Sequence, residues 1–103
     1  MTVHVVLFDD AVADVDEIVA WYQQADPKQV SRFFDELEHT RDAIEQYPES
    51  GASGIQGLRH RHLRIFPYSV WYVFSEGDMT IPVLAVLHDR RDERILQNRT
   101  LPS

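Results

Sequence analysis

The chain has 103 residues, no cysteine, and 17 acidic against 10 basic side chains, a formal net charge of -7. That length bounds it to a single domain, residues 1–103, burying roughly 60–65% of the surface its unfolded chain exposes. The absence of cysteine excludes a disulfide framework and thiol chemistry. The charge is unevenly spread: residues 1–58 hold three cations against twelve carboxylates, a net of -9, and residues 59–103 hold seven arginines against five carboxylates, a net of +2. An acidic surface repels phosphate backbones at long range, so direct nucleic-acid binding is not expected, whereas a local arginine cluster still suits an acidic protein partner. No basic-then-apolar leader opens the sequence and no apolar run approaches the ~20 residues a membrane span needs; the expectation is a cytoplasmic protein.

Val3 to Phe8 is β-branched and aromatic enough for a buried strand. Asp9 or Asp10 then caps a helix over about residues 11–23, whose stripe of Ala11, Val15, Ile18 and Tyr22 faces a core. Asp26-Pro27-Lys28-Gln29 reads as the start of a second helix, with Asp26 accepting from the first N–H groups and Pro27 at the first helical position. Its stripe is Val30, Phe33, Phe34, Leu37, Ile44 and Tyr47, ending at Pro48. A short break between two amphipathic helices implies an antiparallel helical hairpin.

Glu49 to Gly57 carries three of the four glycines and reads as a loop. The period then changes to two: Leu58–Phe66, Tyr68–Ser75 and Met79–His88 read as strands, with a tight turn at Glu76-Gly77-Asp78. Both faces of Tyr68–Ser75 are largely apolar, which suits a central strand covered on both sides. Pro82 cannot donate to a ladder, so an unpaired edge position or a bulge is expected there. From Asp89 the sequence DRRDERILQNR turns helix-like. The expected fold is α+β, a helical hairpin on a mainly antiparallel sheet, with Val5, Ile18, Phe34, Leu37, Val70 and Tyr72 sharing one core.

Three groupings invite chemistry. His60 and His62 share a strand face, but only His88 offers a third metal ligand, so the expectation is no metal and no other cofactor. His88 with Arg59, Arg61, Arg64, Arg90 and Arg91 has the equipment to cleave RNA, a base with phosphate-stabilising cations. The plainer reading is that these arginines are solvated or pair with Asp89, Asp92 and Glu93. Trp21-Tyr22, Trp71 and Tyr72 are read as core aromatics in preference to a base-stacking platform.

The segment HLRIFPYSVWYVFSEGDMTIPVLAVLHDRRD resembles the C-terminal signature of ParE-type toxins in the RelE/ParE superfamily. There R-x-F-P-Y leads into an aromatic strand, an acidic-Gly turn and an apolar strand ending V-L-H-x-R-R-D. Ala13–Tyr22, Arg32-Phe33 and Tyr47-Pro48 are similar to the same family's two helices. The resemblance implies a toxin of a type II toxin-antitoxin module with a β-α-α-β-β-β order and a short C-terminal helix. It further implies a cognate antitoxin as partner in a hetero-oligomer, and DNA gyrase as the target. The RelE branch, which cuts ribosome-bound mRNA, is usually basic and places an arginine where this chain has Ser69. Under the gyrase reading no residue is catalytic, and Arg59, Arg64, His88, Arg90, Arg91 and Asp92 are candidates for contacting target or antitoxin. Under the nuclease alternative His88, Arg61 and Arg64 would carry the chemistry.

Overall fold

A computed structural model of the chain describes residues 3–53, 57–91 and 93–99. Strand β1 (His4–Leu7) leads directly into helix α1 (Asp9–Ala25), and a tight break leads into α2 (Lys28–Gln46). A 3₁₀ turn at Pro48–Ser50 precedes the two-residue strand β2 (Ala52–Ser53), then β3 (Arg59–His62), β4 (Tyr68–Tyr72), β5 (Thr80–His88) and a 3₁₀ segment at Glu93–Asn98. The strands form one sheet in the order β1-β5-β4-β3-β2. Only β1 and β5 run parallel; the other neighbours are antiparallel. This is the expected α+β architecture with one addition, β2, inside a stretch read from the sequence as loop.

The helix starts differ in detail from the sequence reading. Asp9 and Asp10 both lie in the first turn of α1, after Phe8 at the N-cap, and neither side chain caps it. Their carboxylates act on the helix dipole instead. Asp26 receives the Gln29 N–H through its backbone carbonyl (2.9 Å), and its carboxylate takes only the Gln29 side-chain amide (3.3 Å).

The helices cover one face of the sheet. Ala11, Val15 and Ile18 of α1 and Phe33 and Ile44 of α2 pack with Val5, Phe66, Val70, Tyr72, Ile81, Val83 and Val86. Two residues of the α2 stripe depart from expectation, Phe34 and Tyr47, which stand 44% and 59% exposed. The buried line of α2 runs through Phe33, Glu36, Thr40 and Ile44, and Phe34, about 100° further round the helix, lies on its exposed side. The true stripe runs through Thr40, whose hydroxyl donates to the Glu36 carbonyl (2.9 Å) and so tolerates burial. Leu37 packs at the margin of this core, half-buried.

Pro82 sits inside β5, a strand with neighbours on both sides, opposite Val6 of β1. Its carbonyl accepts from the Val73 N–H (3.2 Å), just beyond the end of β4 at Tyr72. A strand residue's N and C=O point the same way, so the missing N–H falls where the β4 ladder has already ended. The bulge lies two residues on: Tyr72 pairs with Val83 and Trp71 with Ala85, leaving Leu84 extra. Ile81, Val83 and Val86 therefore face the helices, while Leu84, Ala85 and Leu87 join Leu58, Trp71 and Leu96 on the opposite face.

Candidate functional site

The arginines of β3 and the following loop point into the structure's own joints. Arg59 and Arg61 pair across from Tyr72 and Val70, on the helix side of the sheet. Arg59 donates to the carbonyls of Glu49 and Gly51 (2.9 and 3.1 Å), and Arg61 to the Ser50 hydroxyl (2.6 Å). Together they staple the segment after α2 against the sheet. The Tyr72 hydroxyl donates to the Pro48 carbonyl at the same joint (2.8 Å), and burial pushes its pKa up. Gly51 is required there by proximity, because a Cβ would collide with the Tyr72 hydroxyl and lie 3.0 Å from its ring carbon Cζ.

Arg64 is bound to α2. Glu36, almost wholly buried, accepts from the Arg64 backbone N–H (2.6 Å), its Nε (3.3 Å) and its terminal guanidinium nitrogen (2.9 Å). Those charge-assisted bonds hold the Glu36 carboxyl below its ordinary range despite desolvation. Ile65 and Trp21, 69% and 61% exposed, flank an apolar notch of about 340 Å³ beside this loop. Trp21 is thus on the surface, while Trp71 and Tyr72 are core.

His88 stands across from Tyr68 with its ring edge-on (centroids 5.4 Å apart), and its Nδ1 accepts the Arg90 N–H (3.1 Å). Burial and the nearby Tyr22 hydroxyl push the Tyr68 pKa up to about 12. Arg90 and Arg91 are exposed in the turn that leaves β5. Asp92 lies outside the described residues. Arg61, Arg64 and His88, grouped from the sequence as a possible nuclease centre, are thus engaged with Ser50, Glu36 and Tyr68 on three different elements.

On the other face, His60 and His62, paired in the sequence reading, join Ser69 and Asp89, which that reading did not connect to them. His60, His62, Ser69, Trp71, Leu87 and Asp89 line a cleft of about 350 Å³, bordered also by His88 and Arg91. Ser69 Oγ lies 2.6 Å from both His62 Nδ1 and Asp89 Oδ1, and the last two are 3.1 Å apart. All three contacts are hydrogen bonds when Ser69 donates to Asp89 and the imidazole proton sits on Nδ1. A hydrolytic relay needs one ring nitrogen on the serine and the other on the carboxylate. Here a single nitrogen serves both and Ser69 is buried, so the triangle ties β3, β4 and the end of β5 together without activating a nucleophile. His60 stacks on Trp71 (centroids 4.4 Å, 29° between planes). Among the described residues no three His, Asp or Glu side chains are grouped to hold a metal ion.

These features define a small α+β domain with an arginine-bearing turn at the end of its longest strand. Residues 5–93 match the family described as ParE toxin of type II toxin-antitoxin system, parDE, and the chain belongs to that family. A solved structure titled "Chromosomal ParDE TA system from P. aeruginosa" has the same fold, with a TM-score of 0.71 at 19% sequence identity over 84% of this chain and 96% of that one. No curated protein matches the sequence. Among the described residues no helix is long and apolar enough to cross a membrane.

Proposed function

We propose that this ParE-family chain acts in the cytoplasm as a protein inhibitor of DNA gyrase, held inactive in a hetero-oligomer by a cognate antitoxin. The observation that carries the reading is that the cations a nuclease would use are directed to different partners, Arg61 to Ser50 and Arg64 to Glu36, rather than gathered around His88. Ser69, where the RelE branch has an arginine, is buried under Asp89 and His62. Arg90 and Arg91, exposed at the end of β5, are free to meet a carboxylate surface on target or antitoxin, for which planar guanidinium forks are suited. His88 orients that turn through the Arg90 N–H. Arg59 and Arg64 contribute by holding the scaffold, and Asp92 is assigned to the same contact surface on its place in the sequence.

Induced expression with parallel readouts of the DNA-damage response and of mRNA integrity separates this from the ribosome-dependent nuclease. The expected result is a damage response with intact transcripts, suppressed by co-expression of the neighbouring reading frame. Arg90→Ala and Arg91→Ala should relieve the toxicity while leaving the unfolding free energy within about 0.5 kcal/mol of the parent, as surface changes do.

A further inference from the structure

Trp21 and Ile65 are the two most exposed large apolar side chains among the described residues, and both line the same notch. Tyr22, Ala25, Phe66 and Pro67 complete its apolar lining, with Asp26 and Gln29 as its polar members. Bulky apolar groups left in water around one hollow mark a surface that is covered in use. The notch is continuous with the arginine turn. Pro67, part of its lining, accepts the Asp89 N–H through its carbonyl (2.8 Å), so the turn that carries Arg90 and Arg91 starts from the notch's own edge. A row of rings gives the distance: Trp21 to Tyr22, Tyr22 to Tyr68 and Tyr68 to His88 have centroids 5.0, 6.5 and 5.4 Å apart. Trp21 and His88 are therefore at most about 17 Å apart, a span that about five extended residues cover.

We propose that the notch and the arginine turn form one docking surface for an acidic segment of the antitoxin. A bulky apolar side chain of that segment fills the notch, and carboxylates about five residues further along it meet Arg90 and Arg91. The inference rests on the toxin-antitoxin reading and adds where the partner is anchored and by what chemistry. The hollow, about 340 Å³, admits side chains and not a helix, whose width with side chains is about 10 Å. Charge sets the direction of the segment. Glu17 lies one turn before Trp21 on the same face of α1, and Asp26 lines the notch, so an acidic end is repelled from the Trp21 side and drawn to Arg90 and Arg91. The same charges argue against a second copy of this chain as occupant. In a two-fold contact through Trp21, each notch would face the exposed Asp16 and Glu17 of the other copy's α1. Tryptophan and arginine, the side chains at the two ends of the surface, are those that most often carry the binding energy of an interface.

The test uses the full-length chain labelled with 5-fluorotryptophan, in which only Trp21 and Trp71 report, bound to the unlabelled product of the neighbouring reading frame. Fluorine NMR of the free chain should show one indole whose signal shifts between H2O and D2O, Trp21, and one that does not, the 7%-exposed Trp71. Trp21→Phe assigns the first. In the complex the Trp21 signal should move and lose its solvent shift. In competition binding, Trp21→Ala and Ile65→Ser should each weaken the complex about tenfold or more, and Arg90→Glu with Arg91→Glu should do the same at the other end. A Trp21 signal that keeps its solvent shift in the complex, or unaltered binding after substitution at either end, would overturn the proposal and leave the antitoxin reading standing. Failure of the two proteins to associate would overturn both.

Discussion

On the helix side of the sheet, Phe33, Ile44, Tyr72, Ile81 and Val83 are fully buried beneath two long helices. On the other side a single turn supplies Leu96 over Leu58, Trp71, Leu84 and Leu87, and the remaining surface is held by the hydrogen bonds of His62, Ser69 and Asp89. The first face is closed by apolar area, which scales with the residues buried. The second is closed by a few specific polar ties over a small apolar strip. Single substitutions on the second face should therefore change local order without unfolding the domain, and that face bears the cleft.

Substitutions on the two faces should therefore differ in kind. Phe33→Ala should be the most damaging, about 3–5 kcal/mol in denaturant melts with loss of the whole fold, because its site is ringed by Tyr22, Phe66 and Tyr68 and cannot collapse. Leu96→Ala should cost about 2–3 kcal/mol, and hydrogen exchange should show most of that as local opening of residues 93–99. An equal, global loss of protection in both variants would break the comparison. Ser69→Ala should cost about 1 kcal/mol, since His62 and Asp89 can turn to water. Its sharper signature is in the nitrogen NMR shifts of His62, which should lose the single-tautomer pattern that the triangle enforces.

The smallest effect concerns pH. Arg64 lowers the Glu36 pKa, so the unfolded chain binds more protons than the folded one as Glu36 titrates. The contribution is fully present above the unfolded value of about 4.3 and is lost as pH falls through the folded value. The Arg64 side chain is 64% exposed and its charge is screened, so Glu36→Gln should cost under about 1 kcal/mol at neutral pH. The parent should lose more stability than that variant between about pH 5 and pH 3. Parallel curves would show that the pair is too solvated to matter.

What the sequence disclosed follows the reach of its signals. The α1 stripe and the change of period at Leu58 are local patterns, and both reappear in the structure. Choosing between Phe33 and Phe34 required noticing that a polar Thr40 lay on the buried stripe, which hydrophobicity alone conceals. The bulge at Leu84 shifts the alternation of β5 and is invisible in an unbroken apolar run. The site was legible as a concentration of arginines and as His60 and His62 on one strand face. Its ties join Ser69 to Asp89 twenty positions away, Glu36 to Arg64 across 28 and Asp14 to Arg99 across 85. Such pairings carry no local signal, because each partner in isolation reads as an ordinary surface charge.

The central claim is tested most directly by adding the purified protein to gyrase and following ATP-dependent supercoiling of a relaxed plasmid, beside a translating-ribosome reaction that follows mRNA cleavage. The account predicts inhibited supercoiling that is weakened by Arg90→Ala and Arg91→Ala, with transcripts left intact. Normal supercoiling together with ribosome-dependent cuts that disappear in His88→Ala would contradict it.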